Sequence, residues 1–528
     1  MKNLSNLFLL ILFFLLLPHT NTLNAQTIEV QWGPVLKNDS KNYPMDIIGK
    51  DESGFFQISY RSRDYYIEKF SNALTLIFSH KLEVFVAKGK PTTYENVVYL
   101  KDKIIYFSSY YDDKNSTRVL FASYISTTTG VADPKLYSIA SFPDQKNKKT
   151  MTFDASITSD SSKILIISNN VERSRDENER FNYTIIDDAF NKVASSFIEL
   201  PYAGVNCNIT DYIVDNNNNV HMLYRVNLKK EGLKENDDDV NFAYYLFSYY
   251  SSDKSTVEYN LKVGDNVVSG IDIKLDKKNE YIYIPGFYSN RSEYGFKGTF
   301  ISKIDIKNKK VVYSKTKDFT ADFVSLFYKK PQTSKAGKKV TRELFDYIPR
   351  FLHITENGEV FVVAEQYWLQ VVTTTRYVST GNGGGYTTTS TTYYYHYNHL
   401  IAVNFNSEGD VAWTAKIPKL QLTINDGGFY SSIATCVHKD KLYIIYNDNP
   451  KNGTSTEVSY TMNAPLKSQT IITSIDTNGN IEKNVLFKEQ DRAAVVRPKF
   501  TVQISPDEVV VYSVRGKQYK FGKLVFKD

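Results

Sequence analysis

Cysteine is almost missing from this sequence: 528 residues contain two, Cys207 and Cys436. That excludes a disulfide framework as what holds the fold. Proline and glycine are also scarce, at 15 and 25, which excludes a disordered or collagen-like chain. Charge of one sign is lacking too. The 64 Lys and Arg against 58 Asp and Glu leave a net +6, too little and too evenly spread to be an electrostatic footprint for nucleic acid. Beyond the first residues, no apolar run approaches the ~20 positions of a membrane-spanning helix. No Gly-x-Ser-x-Gly elbow, His-Glu-x-x-His, Cys-x-x-Cys or phosphate-cradling glycine loop occurs, so the common signatures of nucleophilic, zinc, redox and nucleotide chemistry are missing.

The chain opens with Lys2, an apolar run from Leu7 to Leu17, Pro18 and a small-residue site at Ala25-Gln26. This is the pattern of a secretory leader. Residues 1–25 are therefore expected to be a signal peptide and 26–528 one exported domain, periplasmic or extracellular. With no cysteine near the cleavage site, a lipid anchor is not expected. Aromatic residues are abundant, with 40 Tyr and 32 Phe, a composition that favours strands.

One short apolar pentamer recurs eight times, each copy following a turn signal. The copies are Phe55–Ser59, Ile104–Ser108, Ile164–Ser168, Val220–Tyr224, Tyr281–Pro285, Val360–Ala364, Leu442–Tyr446 and Val509–Ser513. Length and β-branched or aromatic content make each a buried central strand, b. A polar turn such as Asp51-Glu52-Ser53-Gly54 and a further strand, a, precede it. A second hairpin of strands c and d follows, clearest in Leu400–Phe405, the turn Asn406-Ser407-Glu408-Gly409, and Asp410–Trp413. Four-stranded units repeating roughly every 50 to 80 residues describe the blades of an all-β propeller. The last unit reaches Asp528 with strands a, b and c only. Ile28–Trp32 matches the register of Val411-Ala412-Trp413, so the N-terminal strand is expected to complete the eighth blade and close the ring.

The c-to-d hairpins, with their Asp/Asn-x-x-Gly turns and strands ending at Trp413 and Trp32, resemble degenerate repeats of the PQQ-type eight-bladed propellers. The stretches Ala364–Tyr367 and Asn447–Asn452 are similar to those of exported bacterial propeller proteins. The resemblance implies an eight-bladed ring, and propellers of this shape include non-enzymatic outer-membrane assembly scaffolds.

Connections between b and c, and between d and a, fall on one face, and there they lengthen at 319–345, 369–397 and Asn447–Ser468. Long ordered loops on one side of a rigid scaffold suit a binding site. The 369–397 segment reads as a projecting Thr/Tyr ribbon with a glycine tip. Its candidates for ligand contact are Trp368, Arg376, Tyr377, Tyr386, Tyr393 and Tyr395, since tyrosine offers a large apolar body with a polar end. A solvated hairpin is the alternative. In 319–345, Phe319, Phe323, Leu326 and Phe327 are spaced as a docked helix. The basic run after it, including Lys338 and Lys339, suits an acidic partner or a solvated loop. Acids recur at the start of strand a, at Asp46, Glu95, Asp154, Asp211 and Asp272, with Arg350 and Lys499 near the same register. A carboxylate ring at the channel mouth could hold calcium and serve a hydrolase or lyase. Alternatively, each carboxylate caps backbone N–H groups. His396 and His399 point to opposite faces of their strand, so no metal site is expected there. The expected protein is thus a monomeric, non-catalytic propeller that needs no cofactor, calcium at the acid ring excepted. Its expected partner is an envelope or extracellular protein or a glycan, and not nucleic acid.

Overall fold

A computed structural model of the chain describes residues 27–37, 42–143, 152–169, 175–228, 242–290, 295–328, 342–381, 383–487 and 495–527. The expected signal peptide, the acidic segment 231–239, and Lys338 and Lys339 lie outside them. Within them the chain forms eight antiparallel sheets of four or more strands, here numbered I to VIII in order of their pentamers. Every pentamer falls in the second strand of its sheet, from Gly54–Arg61 in sheet I to Glu508–Arg515 in sheet VIII.

The pentamers are apolar at nearly every position because both of their faces are covered. Phe56 and Ile58 pack on Ile104 and Tyr106, while Ile105 and Phe107 turn the other way, onto Ile164 and Ile166. Leu165 and Ile167 meet Met222 and Tyr224, and Leu223 meets Ile282 and Ile284. Tyr283 packs with Val362 and Ala364, and Val363 with Leu442, Ile444 and Tyr446. Tyr443 and Ile445 join Val509 and Val511. Val510 and Tyr512 then reach Phe55 and Phe70 of sheet I. Period-two alternation sends successive side chains to opposite neighbours, so one strand serves two cores.

A recurrent aromatic contact supplements this packing. Phe78, Tyr313 and Trp413, each on a fourth strand, lie against Gly130, Gly409 and Gly479 of the next c-to-d turn. A Cβ on Gly409 would come within 2.4 Å of the Tyr313 ring, and φ there is +84°, so both space and backbone conformation call for glycine. Trp413 also donates from Nε1 to the Thr477 carbonyl at 2.9 Å.

The N-terminal strand Thr27–Trp32 pairs antiparallel with Gln518–Lys527 of sheet VIII, from Thr27 opposite Lys527 to Trp32 opposite Gly522. Neither cysteine forms a disulfide and both are buried, and burial pushes the Cys436 thiol up to about 12. Among the described residues, no helix is long and apolar enough to cross a membrane.

Removing Ile28 to Leu36 leaves the Gln518–Lys527 strand as an open edge. The truncated protein is expected to melt at least several degrees lower or to oligomerise, read by calorimetry and light scattering. An unchanged monomer of unchanged melting temperature would show that the strand is dispensable. A thiol reagent such as Ellman's should titrate neither cysteine in the folded protein and both in guanidinium. Rapid native reaction would contradict the buried placement.

Candidate functional site

The largest departure from a four-stranded unit is in sheet VI. Its second and third strands, Val360–Ser379 and Gly385–Phe405, run on as one paired ribbon well past the pentamer. The 369–397 segment is thus two strands and their tip rather than a loop. Cross-strand partners share a face, and the register sorts the ribbon residues into two sets. Leu369 stands opposite Tyr395, Val371 opposite Tyr393, and Tyr377 opposite Thr387. Thr373 and Thr375 lie between them, hydroxyl to hydroxyl with Thr391 and Thr389 at 3.4 Å. The opposite face carries Trp368, Arg376 and Tyr386. There the Trp368 and His396 rings stack at 4.3 Å, 9° from parallel. Val371, Tyr377, Tyr386 and Tyr393 are 51%, 64%, 56% and 41% exposed, so apolar surface stands in solvent on both faces. The structure therefore divides the six ribbon candidates three and three. Sequence spacing missed Leu369, Val371 and Ile424, which are also exposed.

The ribbon base is anchored by buried charge. Lys419 and Glu365 are fully buried, with Nζ to Oε1 at 2.9 Å. Lys419 also donates to the Tyr397 carbonyl and to Gln421 Oε1. Burial pulls the Lys419 pKa down, and the Glu365 carboxylate opposes that shift. The second Glu365 oxygen accepts from Arg350 Nε at 3.0 Å and Ser432 Oγ at 2.6 Å. Gln421 donates on to the Asn447 carbonyl, and Asn447 to the Tyr430 and Val496 carbonyls. Sheets VI, VII and VIII are thereby stitched together beside the ribbon. Nearby, Asp448 is paired with Lys483 at 3.0 Å, and Asn452 donates to the other Asp448 oxygen, which fastens the segment between the second and third strands of sheet VII.

In the preceding insertion, Thr320 caps a single helical turn, Ala321–Ser325. Phe319 and Phe323 are buried and Phe327 packs beside them. Leu326, expected on the same docked face, is instead 56% exposed, because the helix ends before it and the chain turns away.

The acids of the first strands share one place in the pairing. Asp46, Asp154 and Asp211 stand opposite the fourth pentamer residue. Glu95 is the extra residue of a bulge between the fourth and fifth, and Asp272 donates its N–H to Pro285, the fifth. Burial raises the pKa of Asp46, Glu95, Asp211 and Asp272. Asp211 and Asp272 accept from the N–H of the next residue at 2.7 and 2.8 Å, Asp46 is held likewise by Ile47, and Glu95 accepts from Ser109 Oγ. Asp46, Asp211 and Asp272 thus cap backbone N–H groups, whereas Glu95 is held by a serine hydroxyl. Among the described residues, no three His, Cys, Asp or Glu side chains gather as a metal set. His396 stacks on Trp368 and His399 lies by Phe327. His399 accepts from the Lys419 N–H, and burial depresses its pKa to about 3.

Two other constellations invite a catalytic reading. Asp215, His221 and Ser248 are all fully buried, with His221 Nδ1 2.8 Å from Ser248 Oγ. Asp215, however, is 3.8 Å from His221 Nε2 and spends its oxygens on the Asn217 and Asn219 N–H groups and the Asn219 amide. Asp187–Asn191 and Asp476–Asn480 form the same clasp, so Asp215 is a turn former. A cleft of about 750 Å³ between sheets IV and V is lined by Asn279, Asn308, Asp305 and Lys309, among others. Its Asn279 amide donates to Ser159 of sheet III, and its Asn308 amide to Asp305 within its own turn.

No family model matches this sequence, and no curated protein matches it. Among solved structures, the chain is similar to the WD40 domain of SCAP from fission yeast, with TM-score 0.37, 9% identity, and 95% of this chain and 98% of that one covered. It is similar to puromycin hydrolase with TM-score 0.36 and 11% identity over 78% of this chain, which spans about half (52%) of that protein. A Synechocystis apocarotenoid oxygenase variant has TM-score 0.31 and 8% identity, with 74% and 93% covered. The activities in these names belong to those proteins.

Glu365→Gln removes the one carboxylate that, among the described residues, is bonded to the buried Lys419 ammonium. Guanidinium unfolding should report a loss of about 3 kcal/mol or more. Glu356→Gln, at an exposed pair with Lys277, should cost less than about 1 kcal/mol. Equal small losses would show that the buried pair does not anchor the ribbon.

Proposed function

We propose that this chain is an exported, non-catalytic binding protein. On this reading it is an eight-bladed β-propeller closed by its N-terminal strand, and it acts as a monomer through the face that bears the ribbon. Eight blades are supported by eight packing clusters that link each sheet to the next and sheet VIII to sheet I. Closure is supported by the pairing of Thr27–Trp32 with Gln518–Lys527. Export rests on the leader pattern of residues 1–25.

The observation that carries the binding role is the ribbon. It holds Val371, Tyr377, Tyr386 and Tyr393 in solvent on a paired two-stranded support, over a base fixed by fully buried charges. Rigid aromatic side chains lose little entropy on contact, which suits them as anchors for a protein or glycan surface. The expected partner is an envelope or extracellular protein or glycan that lays an apolar or hydroxyl-rich surface against the Thr/Tyr ladder.

Replacing Thr374 to Thr392 by a short glycine-containing turn is expected to leave the melting temperature within a few degrees. Binding to a partner captured from envelope extract should weaken tenfold or more, as expected for losing one or two anchors of ~2 kcal/mol each. An edit of the turn Asp476 to Gly479 on the opposite face serves as the control. Equal loss from both edits, or loss from the turn edit alone, would refute the assignment of the face.

A further inference from the structure

The charged register of the first strands changes sign around the molecule. Sheets I to V place Asp46, Glu95, Asp154, Asp211 and Asp272 there, whereas sheet VI places Arg350 in the corresponding bulge. Sheet VIII, whose first strand is broken between Val496 and Val502, brings Arg497 and Lys499 to the gap. Lys499 donates to the Tyr397 hydroxyl at 2.7 Å and lies 4.5 Å from that ring. The Tyr367 ring is 4.6 Å from Tyr397, and Arg350 is 5.9 Å from Tyr367. Gly428 packs against the Tyr397 ring, and the adjacent Phe429 ring carries the Arg497 guanidinium at 2.9 Å. Elements distant in sequence thus converge on one cationic cluster.

Arg497 is the informative member. It is 6% exposed, sits also 4.1 Å from Phe500, and has an enclosed Nε without a hydrogen-bond partner. Its electrostatic neighbours are the neutral phenols of Tyr512 and Tyr430, and no carboxylate among the described residues pairs with it. A buried guanidinium is costly without a counter-charge, and ring contacts offset only part of that cost. The nearby carboxylates are already engaged. Glu365 serves Lys419, Arg350 and Ser432, and Asp426 accepts from Thr423 and the Gly428 N–H. Arg350, Lys419, Arg497 and Lys499 therefore share Glu365 and Asp426, since Asp448, which also acts on Lys419, is paired with Lys483.

We propose that Arg350, Arg497 and Lys499 form a binding site for a small anion that presents a carboxylate or phosphate group. Two planar guanidinium forks suit the paired oxygens of either group, and Lys499 adds a point charge. The site lies at the loop-side end of the first strands, beside the base of the ribbon, and uses no residue of the projecting segment Thr374 to Thr392. The groups around Lys499 are Glu365, Arg350, Asp426 and Arg497, with Tyr397 beneath it. Burial brings the Lys499 pKa down to about 8, so this cation loses its charge as pH rises through that value and anion affinity falls with it.

The test titrates the purified chain at low ionic strength and pH 7 with inorganic phosphate and, separately, with succinate, followed by calorimetry. Saturable 1:1 binding of at least one is expected. Saturation by succinate alone identifies a carboxylate ligand, and by phosphate alone a phosphorylated one. Lys499→Gln and Arg350→Gln, whose side chains are desolvated on one side but still reach solvent, should each weaken binding tenfold or more with unchanged circular dichroism. Asp272→Asn should not weaken it. If succinate binds, its affinity should drop between pH 7 and 9 for the native chain but not for Lys499→Gln, because succinate keeps its charge over that range. The ribbon-shortened protein should bind the anion normally, which separates failure here from failure of the partner-binding reading. Absence of binding by both anions, or variants that bind like the native chain, would overturn the proposal.

Discussion

Coverage of the second strand on both faces is the constraint on which the rest of the structure depends. A strand packed on one side tolerates polar residues at every other position, but one that serves two cores cannot. Ile444 and Ile445 are neighbours in sequence and contribute to different clusters, as do Ile166 and Ile167. Truncating either residue of such a pair to alanine would open a cavity in one interface, at about 2–5 kcal/mol, and leave the other intact. Stability is therefore spread over a series of similar interfaces. The outer strands and turns are freer to vary, and the ribbon of sheet VI is where they vary most.

This constraint explains what could be read in the sequence. All eight pentamers announce themselves because double coverage makes them apolar at nearly every position, with Gln57 and His221 the internal exceptions. The c-to-d turns are equally plain, since their Asp and Asn side chains hydrogen-bond within five residues, as Asp476 does with Asn478 and Asn480. The glycine of such a turn was legible as a turn former. Its second role, as the floor under Tyr313 or Trp413 of the preceding sheet, was not, because the contact joins residues some 66 to 96 positions apart.

The candidate site was legible only in part. Ribbon length, the glycine tip and the tyrosines could be read, but their division between two faces needed the register. Leu326 followed helical spacing yet points to solvent, because a helix of five residues ends before the pattern does. The Glu365–Lys419 pair joins positions 54 apart. Each looks alone like an ordinary surface charge, and only the fold removes water from both. Arg497 is a similar case, since nothing local signals that Phe429 will stack on it. Charge at a shared strand register was visible from counting, but which carboxylates would be spent on backbone N–H groups was not.

Pairing of Thr27–Trp32 with Gln518–Lys527 has a kinetic corollary. Among the described strands Thr27–Trp32 is made first and finds its partner only when Gln518–Lys527 has been made, so during synthesis this seam of sheet VIII has to wait for the last of the described residues. Closing so long a loop costs conformational entropy that grows only slowly with its length, yet contacts so remote in sequence form late. Until then, Thr27–Trp32 is a strand of alternating polar and apolar residues with a bare edge, and the growing chain has to keep it from pairing with a neighbouring molecule. The charges of Glu29 and Lys527, which form an ion pair across this last seam, are well placed to favour the correct partner over a stranger.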